Sequence, residues 1–206
     1  ADIDEVWAVA ASGTDFWMAG AGGITATASH PWVIRGLPSG AACGFNPFPS
    51  SGGGVGRDVT VSGGRAYVAG ARDGEAFLTN WGASECTATP SGSCACPPTG
   101  TTVAFQATGA AYTEARAVVA LGSGFYLAGF SDIGGDYGGM VARIASTVVT
   151  QAPRWNPTTL IDAYTALAAD ATGSAVYATG TMGWDGSGEA GSEWAREIAR
   201  RMHIMT

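Results

Sequence analysis

Lysine is missing from this chain of 206 residues, and histidine occurs only twice. Without lysine there is no Walker-type phosphate loop and no Schiff-base chemistry. The ten basic residues are all arginine and stand against 17 acidic ones, for a net charge of −7. A nucleic-acid groove or an anionic membrane surface needs clustered cations, and here the balance runs the other way. Charged residues make up only 13% of the chain and hydrophobic ones 46%, the reverse of a disordered composition. Long apolar runs are also lacking. The longest uncharged one, 117–131, spans about 15 residues and is broken by Gly122-Ser123-Gly124, whereas a membrane helix needs about 20.

What is there is glycine, 32 residues of it, in a chain long enough to bury one real core. The sequence begins Ala1-Asp2, a start that suits a mature processed protein or an expressed fragment equally. Four cysteines occur: Cys43, and then Cys86, Cys94 and Cys96 within one loop rich in Ser, Thr, Pro and Gly. An even number in loops of a lysine-free acidic chain favours disulfides and an oxidising compartment, with one bridge expected inside Cys86–Cys96. The expected location is therefore secreted, periplasmic or cell-surface. A zinc site would want Cys-x₂-Cys pairs or nearby histidine, and Cys94-Ala95-Cys96 has neither.

Self-similarity is the main signal. Four segments close on nearly the same phrase: Phe16-Trp17-Met18-Ala19-Gly20, Ala66-Tyr67-Val68-Ala69-Gly70, Phe125-Tyr126-Leu127-Ala128-Gly129 and Val176-Tyr177-Ala178-Thr179-Gly180. Their final glycines lie 50, 59 and 51 residues apart. Before each comes a short apolar strand (Val6–Val9, Val59–Val61, Ala117–Ala120, Tyr164–Leu167) and a Gly-rich turn, the signature of a hairpin. A third strand is expected at Trp32–Arg35, Phe77–Thr79, Met140–Arg143 and Trp194–Glu197. A fourth is expected at Val103–Gln106 and Thr147–Thr150.

Four antiparallel strands per repeat of about 50 residues predict an all-β fold, a β-propeller whose repeats span 1–52, 53–112, 113–160 and 161–206 as one domain. Alanine and glycine suit inner strands, where neighbouring sheets converge. The segment Ser192–Met205 reads as helix by its i, i+4, i+8 apolar spacing or as strand by alternation, and the repeat arithmetic favours strand. The ring either closes with these four repeats or is part of a larger propeller completed by another chain.

The stretch Arg57-Asp58-Val59 through Ala69-Gly70, and then Gly74 through Leu78, resembles the bacterial secreted β-propeller repeat of the SBBP type. The likeness extends over all four repeats. It implies a propeller on a secreted or cell-surface protein, and its motif is structural, so it implies no catalytic residue. The Cys loop after Trp81, the stretch Pro47–Gly56 and the C-terminal segment depart from the pattern.

Chemistry-bearing residues are sparse. His30 and His203 are the two groups that titrate near neutrality, and no Gly-x-Ser-x-Gly elbow accompanies them. Asp185, Ser187 and Glu189 stand at positions 1, 3 and 5 of a Gly-rich loop, half of a calcium loop, but Arg196 takes the place of the closing acid. Calcium is the one cofactor this suggests. Asp132 and Asp136 bracket Gly134-Gly135 in the corresponding loop of the third repeat, and such residues also simply make turns. The pairs Asp132 with Asp136 and Glu189 with Glu193 could serve glycoside hydrolysis. Trp184, beside Asp185, is the aromatic best placed to meet a ligand. The expectation is a non-catalytic module that binds a protein or glycan through Trp184, Asp185, Glu189, Asp132 and Asp136. A secreted carbohydrate hydrolase using the loop carboxylates is the alternative.

Overall fold

The structure, a computed structural model, describes residues 3–24, 29–37, 42–45, 53–82, 87–88, 94–95, 101–156, 161–184 and 200–202. For Cys43, Cys94 and Trp184 the description covers the backbone. Among the described residues every regular element is a strand. The chain divides into two compact units, Ala1–Ala104 and Phe105–Thr206.

The first unit opens with a four-stranded antiparallel meander of β1 (Ile3–Ser12), β2 (Asp15–Ile24), β3 (His30–Gly36) and β4 (Ala42–Phe45). Its second sheet runs β5 (Gly54–Ser62), β6 (Arg65–Arg72) and β7 (Glu75–Gly82), then β10 (Thr102–Phe105), which lies beside β7. Between β7 and β10 sits a small hairpin, β8 (Thr87–Ala88) with β9 (Cys94–Ala95). The Thr102 hydroxyl donates to the Thr79 hydroxyl at 2.9 Å, and Asn80 Nδ2 to the Thr101 carbonyl at 3.1 Å, fixing β10 after the long excursion.

The second unit repeats the plan. A meander of β11 (Tyr112–Leu121), β12 (Gly124–Ile133), β13 (Asp136–Ala145) and β14 (Val148–Gln151) is followed by β15 (Ile161–Ala169), β16 (Val176–Trp184) and β17 (Arg200–Met202). The predicted hairpins are all present, as are the expected third strands of the first three repeats and both fourth strands. Trp194–Glu197 lies outside the described residues. The strand that pairs with β16 there is Arg200–Met202, within the segment that reads as helix or strand. The disulfide expected within Cys86–Cys96 also falls outside the described residues.

Within each unit the same face of the first sheet meets its neighbour. In the first sheet, Ala8 and Ala10 of β1 stand opposite Ala19 and Trp17, with Val33 beyond Ala19. This front face packs against Val59, Val61, Ala66, Val68, Phe77 and Trp81, the back face of the second sheet. In the second unit, front-face Ala128 and Val141 pack against back-face Tyr164, Leu167 and Ala178. Ala128 takes the place of Ala19 in the repeated phrase, and Ala178 that of Val68. Burial of these side chains is the dominant stabilising term, and interlocking of small against large residues sets the spacing.

A feature of the strands explains why each phrase ends in glycine. The first strand of every repeat carries a β-bulge, at Trp7, Arg57, Arg116 and Thr165. The bulge drives the carbonyl two residues earlier onto the neighbouring strand. A Cβ on Gly20 would overlap the oxygen of Glu5, on Gly70 that of Val55, on Gly129 that of Glu114, and on Gly180 that of Ala163. Only a residue without Cβ fits beneath those carbonyls. The bulged side chains are used as well: the Arg57 guanidinium lies over the Trp7 ring, 4.3 Å from its centroid, and that of Arg116 lies over Phe130 at 4.7 Å.

Candidate functional site

The carboxylates expected to serve a ligand in the third repeat are the point to build from. Gly134 and Gly135 both have positive φ, +66° and +87°, which makes the β12–β13 connection a tight primed turn that twists with its strands. Asp132 caps that turn, its Oδ1 accepting from the Gly135 amide at 2.7 Å. Asp136, at the start of β13, accepts from Arg154 Nη1 at 3.2 Å and from Asn156 Nδ2 at 2.7 Å, both on Oδ2. Arg154 Nη2 also donates to the Asp136 backbone carbonyl. The structure therefore gives Asp132 a turn-holding position and Asp136 an ion pair with Arg154.

Arg154 reaches Asp136 because the chain after β14 keeps to the edge of β13. Ala152 N donates to the Val141 carbonyl at 2.9 Å, and Gly139 and Trp155 exchange bonds of 2.7 and 3.0 Å. The Trp155 ring then stacks on Tyr164, centroids 5.7 Å apart and planes at 27°. Gly138 is small for a matching reason: a Cβ there would run into the Arg154 side chain.

Beside this ion pair is a cavity of about 360 Å³ within the second unit. Its apolar wall includes Ile133, Met140 and Pro153, and its polar residues are Thr108, Ser131, Gln151 and Arg154. Gln151 Nε2 donates to the Gln106 carbonyl at 3.3 Å, and the Ala107 amide donates to the buried Thr113 hydroxyl at 3.0 Å, which sets the loop that forms one rim. Ser131 is 0% exposed, and its hydroxyl has no hydrogen-bond partner. A buried hydroxyl left so costs about 1–3 kcal/mol. With Asp136 beside it, Arg154 brings little net charge to the cavity. The pocket is suited to a small neutral polar group.

Trp184 ends β16, its backbone paired with Ile161. Asp185, Ser187, Glu189 and Glu193 lie outside the described residues, as does His203. Among the described residues no group of three or more His, Cys, Asp or Glu side chains could hold a metal ion. His30 begins β3 with its Nδ1 buried and without a hydrogen-bond partner. No helix among the described residues is long and apolar enough to cross a membrane.

Arg154, Asn156 and Ser131 escaped the sequence reading. A trace of the first two was available, since Pro153-Arg154-Trp155-Asn156-Pro157 sets an arginine and an amide between prolines after a strand, where side chains turn toward a neighbouring loop. Ser131 left no trace in a sequence with many serines. Comparison of the sequence with protein-family models and with curated proteins returned no match.

Proposed function

We propose that this chain is a non-catalytic binding and assembly module, secreted or displayed at a cell surface, whose four-stranded sheets are blades of a β-propeller. The SBBP-type resemblance belongs to the same proposal. The observation that carries it is the stacking rule, in which front-face Ala19 and Val33 meet Val59 and Val68, while Ala128 and Val141 meet Leu167 and Ala178 at the same repeat positions. Radial repetition of one sheet-on-sheet contact is what a propeller consists of. Rigid sheets of this kind present their connecting loops to a protein or glycan, and the Ser131–Arg154 pocket is one such place. The hydrolase alternative would draw on carboxylates of the Asp132–Asp136 and Asp185–Glu193 loops; of these, Asp132 and Asp136 already hold the Gly135 amide, Arg154 and Asn156.

A glycan array run beside a polysaccharide turnover assay tests the reading. The expected result is saturable binding without turnover, weakened by Arg154→Ala. Turnover abolished by Asp136→Asn in a protein that keeps its melting temperature would establish the hydrolase instead.

A further inference from the structure

The cavity beside the Asp136–Arg154 ion pair has more unmet hydrogen-bonding capacity around it than the Ser131 hydroxyl alone. Ser131 pairs with Gly138, and Ile133 with Asp136, across β12 and β13, so these residues share one face, with Met140 further along it. The Arg154 side chain occupies the space over Gly138, its Nε closest to where a Cβ would stand. Four buried polar atoms of this group have no hydrogen-bond partner: Ser131 Oγ, Arg154 Nε, Asp136 Oδ1 and Asn156 Oδ1. All the residues that line the cavity belong to the second unit.

Buried polar atoms are nearly always paired, so orphans gathered at one cavity call for a partner from outside the chain. Their chemistry says what it must carry. The Arg154 Nε–H can only donate, the Asp136 and Asn156 oxygens accept, and the Ser131 hydroxyl does either. A carboxylate or phosphate would offer the two acceptors nothing, and an ammonium would offer Arg154 nothing. A hydroxyl both donates and accepts, but it has one proton, so two acceptors require at least two hydroxyls. Beside them the wall of Ile133, Met140 and Pro153 favours C–H surface. The volume of about 360 Å³ is at the small end of the range for ligand pockets, about 300–1,000 Å³, and suits a single ring.

We propose that this cavity is a sugar-binding site that takes adjacent hydroxyls of one neutral monosaccharide residue. The proposal rests on the binding-module reading above and names the ligand of its pocket. One hydroxyl accepts from Arg154 Nε and shares a bond with Ser131. Its neighbour donates to Asp136 Oδ1, and the C–H face of the ring lies on Met140 and Pro153.

An amide NMR titration of the full chain tests it, with glucose, galactose and mannose, and with cellobiose, lactose and mannobiose. At least one sugar is expected to give saturable shifts at the Ser131, Gly138 and Gln151 amides. Ser131→Ala should weaken that binding about three- to tenfold, the worth of one hydrogen bond. Its melting temperature should hold or rise, because the hydroxyl it removes has no partner in the protein. Gly138→Ala, which pushes Arg154 Nε aside, should weaken binding further. Equal affinity for a monosaccharide and its disaccharide supports the site with free sugar as ligand, and tighter binding of the disaccharide supports it with a chain end. No shift with any sugar leaves water as the cavity's only occupant and overturns the proposal. Inorganic phosphate or acetamide shifting the same amides in place of the sugars overturns it too. A sugar held equally by wild type and Ser131→Ala overturns this site and leaves the module reading standing. Turnover of a bound disaccharide overturns the module reading and leaves the site.

Discussion

The closing glycine of each repeat depends on one atom of another strand. Gly129 sits under the Glu114 carbonyl, pushed there by the bulge at Arg116, and the same holds at Gly20, Gly70 and Gly180. Gly129→Ala should cost about 1–3 kcal/mol, the range for forcing extra atoms into a packed site. Urea unfolding followed by tryptophan fluorescence would measure it, and a change within a few tenths would contradict the bulge explanation. The glycines themselves were legible as part of a recurring phrase. Their reason was not, because it requires the register of the partner strand and the position of its bulge.

At the scale of elements, the β15–β16 turn shows how much a single acid can do. Asp170 accepts from the amides of Ser174 and Ala175, at 2.7 and 3.0 Å, and from the hydroxyls of Thr172 and Ser174, both at 2.7 Å. The hydroxyl bonds, Thr172 first and then Ser174, hold its carboxyl well below the usual aspartate range, and the two amides add to this. Ionised Asp170 is therefore favoured in the folded turn over the unfolded chain. Its contribution to stability is complete above the ordinary aspartate pKa and is lost as the pH falls through and below it. A carboxyl NMR titration should find Asp170 still ionised where ordinary aspartates protonate, and a normal midpoint would refute the turn geometry.

The hairpins were legible at this scale because glycine turns and alternating strands are local signals. The partners of Asp136 were not, since Arg154 and Asn156 arrive from 18 and 20 residues downstream along the edge of β13. An acid pair bracketing two glycines reads the same whether it awaits a ligand or holds its own turn. The hydrogen bonds show Asp132 holding its turn and Asp136 holding Arg154 and Asn156.

For the molecule as a whole, period was the informative quantity. Repeats near 50 residues, each making one antiparallel sheet with an apolar face, demand that sheets cover one another. Which face covers which is a matter of residue size, alanine against valine and phenylalanine, and became visible only when strand register placed Ala19 beside Val33 and Val59 beside Val68. The central claim is that this front-on-back contact holds the two sheets of each unit together. A double-mutant cycle on Val33→Ala and Val68→Ala in the first unit tests it most directly. The account predicts that the two losses of stability differ from additivity by about 0.5 kcal/mol or more, as for residues that share a packed contact, whereas additivity to within about 0.3 kcal/mol would mean that the two faces do not pack together.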